Sequence, residues 1–167
     1  MKKGRFILLY LTLLVAQIII CNYFSLSNYV LVSVLPVLIL VLPHRMNTIL
    51  VMLIAFVSGL AVDFFSTGML GITSLALVPV ALNRRILMAL VFGDELVSRE
   101  EETTVDRVGI LKASLMALIS CAIYFLVYIW ADSAGTVGFW PAAVRFLLSV
   151  VVSTPVCVLV ARLLRPE

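Results

Sequence analysis

Gly59-Leu60-Ala61-Val62-Asp63-Phe64-Phe65-Ser66-Thr67-Gly68-Met69-Leu70-Gly71 sets a carboxylate at the end of a long apolar run and follows it with a glycine-punctuated turn. A charge in hydrocarbon costs up to about 3 kcal/mol on insertion scales, less near the interface. Asp63, the one acidic residue that the apolar pattern places inside a hydrophobic segment, therefore needs a partner or a purpose.

The surroundings of this stretch are lipid-like. Of 167 residues, 63% are hydrophobic and 13% charged, and the mean hydropathy is +1.21, far more apolar surface than a soluble domain hides. The chain is expected to be an all-α integral membrane protein, a single domain over 1–167 with six transmembrane helices. Their spans are expected at about 6–21, 29–42, 48–65, 70–83, 109–131 and 139–164, the first at about the length needed to cross a bilayer and the second short.

Each span carries a few informative residues. The basic N-terminus followed by an apolar run imitates a secretory signal, but Ile19 and Ile20 stand before Cys21 where small residues would be required, so a retained first helix is expected. Gln17 and Cys21 share one face of it. Pro36 falls mid-way in the second span and removes a backbone donor, with Ser33 placed to help re-satisfy the freed groups. In the third span Ala55, Gly59 and Asp63 recur every four residues, a small-residue stripe suited to close helix packing or to a partner contact. Gly68 and Gly71 supply backbone freedom to the turn after it.

The fourth span is expected to stop near Asn83, because Arg84 and Arg85 belong among headgroups, with Ile86 to Phe92 lying along the interface. Residues 93–108 read as a solvated acidic loop on the cytoplasmic side, and Glu100, Glu101 and Glu102 are its candidate contact. Trp130 and Trp140 flank the last turn as an aromatic belt would. With both termini cytoplasmic, every Lys and Arg except Arg145 falls on the inner side. The net charge of +3 then needs no nucleic acid to explain it.

Arg145 is the exception, on the outer half of the sixth span at a depth similar to that of Asp63. The two are expected to pair, directly or through Ser149 on the same face as Arg145, the alternative being that each snorkels separately to the outer surface. Nothing suggests catalysis or a cofactor. His44 is the chain's one histidine, the three cysteines lack metal-ligand spacing, and a lone intramembrane aspartate cannot make a two-carboxylate site.

The run Gly59-Leu60-x-x-Asp63-x-x-Ser66 with Gly68-x-x-Gly71 resembles the signature of the rod shape-determining protein MreD family. Gln17, Pro36, the Leu42-Pro43 exit and the arginine after the fourth span fit the same pattern. The chain departs from it at Arg84-Arg85-Ile86, where many relatives have a proline after the arginine, and at Glu100 to Glu102. The resemblance implies a noncatalytic bacterial inner-membrane component of the cell-wall elongation machinery. Its implied partners are the membrane-anchored periplasmic protein MreC and, through MreC, the actin-like MreB, the glycan polymerase RodA and a class B transpeptidase, within membrane lipid. It also implies a likeness to the six-helix substrate-binding subunits of energy-coupling vitamin transporters. The rival expectation, from the proline-interrupted second and fourth spans, is a small-molecule-binding subunit of a transporter.

Overall fold

The computed structural model describes residues 3–23, 31–42, 46–66, 70–92, 110–133 and 138–163. Gly68, the acidic loop over 93–108 with Glu100, Glu101 and Glu102, and His44 lie outside the described residues. Among those described the chain is all-helical: α1 Lys3–Tyr23, α2 Leu35–Leu40, α3 Thr48–Ser66, α4 Ile72–Phe92, α5 Ile110–Ser133 and α6 Phe139–Leu163. Helices α3 to α6 each contain a stretch long and apolar enough to cross a membrane, and α1 contains a shorter apolar one, Leu8–Asn22. This is a multi-pass membrane helical protein.

The packing places α2 at the centre. Helices α1, α3, α4, α5 and α6 follow one another around it, and α2 touches all five. Every residue of α2 is buried, although it is one and a half turns long. Such a helix has little stability of its own and exists because its neighbours enclose it. Near the end of α1, Asn22 Nδ2 donates to the Phe65 carbonyl near the end of α3 at 3.1 Å. These two helices therefore run in the same direction, and the chain between them runs back through the centre by way of α2.

Two expectations are corrected here. The second span is not a helix over 29–42: Leu31–Val34 is non-helical, and the helix begins at Leu35 with Pro36 in its first turn. A proline there loses no helical hydrogen bond, because the first amides of a helix have no intrahelical partner anyway. Nor does α4 end near Asn83. It continues to Phe92, because Arg84 is buried within the bundle and finds backbone acceptors there instead of headgroups.

The tightest helix contact joins α3 to α4. A Cβ added to Gly59 would stand 2.6 Å from Ser74 Cα and 2.7 Å from Ser74 N, so only glycine permits this approach. Ser74 Oγ then reaches across to the Phe56 carbonyl at 3.0 Å. Of the two uses expected for the stripe, Gly59 serves internal packing, and Ala55 is likewise buried.

Gly59→Ala should lower stability by about 1–3 kcal/mol through overpacking of α3 on α4. Gly138→Ala, where the added carbon meets only Pro141 at 3.7 Å or more, should leave it nearly unchanged. Denaturant unfolding of both variants in detergent, followed by circular dichroism, makes the comparison.

Candidate functional site

One end of the interior, between the end of α3, the start of α4 and the non-helical segment before α2, collects most of the buried polar groups. Asp63 is fully buried in the last turn of α3. Its carboxylate accepts from the Gly71 amide at 2.8 Å and from the Thr73 amide at 3.1 and 3.2 Å. These amides open α4, where helix geometry leaves N–H groups unsatisfied and concentrates roughly half a positive charge. Gly71 adopts φ +104°, the left-handed region that a side chain disfavours, and so aims its amide back at α3.

Asp63 therefore caps the next helix. Arg145 is bonded elsewhere: its Nη1 donates to Asp132 Oδ2 at 2.7 Å. Ser149 does not bridge the two charges either, since its hydroxyl accepts from the Leu31 amide at 3.0 Å. The expected Asp63–Arg145 pair is thus replaced by two local arrangements, for a simple reason. The start of α4 brings unpaired amides within ten residues of Asp63, and Asp132, near the end of α5, is only thirteen residues from Arg145 on α6. Both partners cost less chain entropy than a contact across the bundle.

Non-helical backbone inside an apolar bundle must find hydrogen bonds from side chains. Gln17 on α1 supplies both kinds, accepting from the Val34 amide at 2.7 Å and donating to the Val32 carbonyl at 3.2 Å. Its Nε2 also meets Cys21 Sγ at 3.1 Å. From the other side, α6 presents Ser149, Ser153 and Cys157 at successive turns. Ser153 Oγ accepts from the Ser33 amide at 3.3 Å and donates to the Leu31 carbonyl at 3.2 Å. The Cys157 thiol donates to the Ser33 carbonyl at 3.4 Å and lies 3.6 Å from the Cys121 sulfur.

The far end of α2 is closed by a cation. Arg84 Nη2 donates to the Leu40 carbonyl at 3.3 Å and to the Leu42 carbonyl, at the helix end where carbonyls lack partners and the dipole is negative. A carboxylate at one helix start and a guanidinium at another helix end thus put two buried charges to the same structural use.

Of the sequence-derived site residues, Asp63, Gly59, Gly71, Gln17 and Ser149 belong to this interior, and Pro36 opens the helix it surrounds. Ser66 Oγ donates back to the Val62 carbonyl of its own helix. Ser153, Cys157, Asp132 and the capping role of Arg84 were not anticipated. The first two carry a legible signal, since Ser149, Ser153 and Cys157 form a polar line every four residues in an otherwise apolar span. Among the described residues, no group of three or more His, Cys, Asp or Glu is placed to hold a metal ion. Comparison of the chain with protein-family models, curated proteins and solved structures gives no match.

Two measurements test these assignments. In double-mutant cycles, Asp132→Asn with Arg145→Gln should show a coupling of about 0.5 kcal/mol or more, while Asp63→Asn with Arg145→Gln should be additive. Gln17→Leu strands an amide and a carbonyl together and should destabilise by about 1–3 kcal/mol, more than Ser149→Ala, which strands one amide. Unfolding midpoints in detergent give both rankings.

Proposed function

We propose that this chain is a noncatalytic scaffold of the bacterial cell-wall elongation machinery, of the MreD type. It crosses the inner membrane six times with both termini cytoplasmic, and it binds MreC. The MreD-like run ending in Asp63-x-x-Ser66 and Gly68-x-x-Gly71 is the observation that carries the proposal. The capping of α4 by Asp63 supports it, because this gives the carboxylate of that run a structural role needing no substrate. The α3–α4 turn beside Asp63 is the proposed outer contact for MreC, and Glu100, Glu101 and Glu102 the proposed cytoplasmic contact. MreB, RodA and the class B transpeptidase are reached through MreC.

A small-molecule-binding subunit of a transporter is the second reading, favoured by the interruption of the second span before α2. Against it, the exposed backbone of that interruption is taken up by Gln17, Ser149, Ser153 and Cys157. Affinity purification from a rod-shaped host separates the two. The scaffold reading expects MreC to be recovered with the chain and cells depleted of it to become round. Normal rods with no MreC recovered, and a retained small solute instead, would replace it with the second reading.

A further inference from the structure

One of the bonds that fasten Leu31–Val34 differs in kind from the rest. Cys121 on α5 and Cys157 on α6 are fully buried, and their sulfurs stand 3.6 Å apart. The single proton of the Cys157 thiol goes to the Ser33 carbonyl at 3.4 Å, which leaves the Cys121 thiol as donor to the Cys157 sulfur. A short relay therefore runs from α5 through α6 to the backbone that joins α1 to α6. Holding that backbone does not call for two thiols in contact: one turn earlier on α6, the Ser153 hydroxyl alone holds the Leu31 carbonyl at 3.2 Å.

We propose that Cys121 and Cys157 form a redox pair, whose oxidation to a disulfide withdraws the donor from the Ser33 carbonyl and loosens the joint between α1 and α6. The sulfurs then close from 3.6 Å to a bond of about 2.05 Å. Neither thiol nor disulfide carries a charge, so the change adds none to an apolar interior, whereas binding a metal would require buried thiolates. The pair has no exposed surface, so its oxidant is small and uncharged, of the hydrogen peroxide class. One sulfur attacks a peroxide oxygen. The O–O bond breaks, a sulfenic acid forms, and the other oxygen leaves as water with the proton of that thiol. The second sulfur attacks the sulfenic sulfur, the S–S bond forms, and the hydroxyl leaves as water with the proton of the attacking thiol. The electrons of two thiols have passed to the peroxide, and no S–H remains to bond Ser33.

The test uses Cys21→Ser, in which Cys121 and Cys157 are the remaining cysteines, purified reduced in detergent. After hydrogen peroxide, alkylation of the unfolded chain should find both thiols blocked until a reductant restores them, and a digest should show their two peptides linked within one chain. Cys121→Ala in the same background should give no linkage. Hydrogen exchange at the Leu31, Ser33 and Val34 amides should speed up about fivefold or more on oxidation. Cys157→Ala, which lacks the donor, should show the faster exchange without any oxidant. Peptide mapping of the peroxide-treated wild-type chain should find the same linkage, a readout that holds even if the variants fail to fold. Thiols still free after peroxide, over-oxidation of either sulfur without linkage, or linkage that leaves the exchange unchanged would overturn the pair.

Discussion

The constraint that organises this bundle is the hydrogen-bonding demand of Leu31–Val34. A peptide group in an apolar interior keeps its full appetite for partners, and without helix geometry it cannot satisfy itself. The chain meets the demand with side chains from two helices that scarcely touch each other. Gln17 serves from α1, and Ser149, Ser153 and Cys157 serve from α6. Because both bind the same short piece of backbone, that piece is what joins the first and last helices of the fold. The enclosed α2 follows from it, since the chain can turn helical again only after its amides have been met from outside.

Charge is used in the same economy of helix ends. Asp63 and Arg84 both sit where a membrane protein is expected to avoid charge, and both face the terminus of a neighbouring helix with the complementary sign of partial charge. Each links elements: Asp63 binds the start of α4 to the end of α3, and Arg84 binds the middle of α4 to the end of α2. Helix α4 is thereby anchored at two depths, and with Gly59 against Ser74 its seat on α3 is closely determined.

Much of this was legible in the sequence. Composition announces a membrane helical protein, and the unusual standing of Asp63, Gly59 and Gln17 follows from residue type and spacing. The partners were harder. Depth in the membrane suggested Arg145 for Asp63, but hydropathy assigns depth and says nothing about unpaired amides arriving at the next helix start. Leu31-Val32-Ser33-Val34 reads equally well as helix or as extended chain, since a short apolar run has no telling period. Arg84 was assigned to headgroups because its acceptors, the carbonyls of Leu40 and Leu42, appear only after α2 is packed against α4.

The shared direction of α1 and α3 bears on how such chains are counted. Four non-helical residues reach at most about 13 Å, and the six of α2 rise about 9 Å, so the chain from Leu31 to Leu40 can reach farther than ten residues of continuous helix would. A tally demanding about 20 apolar residues per traverse would overlook this passage. Helix α3 would then be drawn antiparallel to α1, against the contact between their ends.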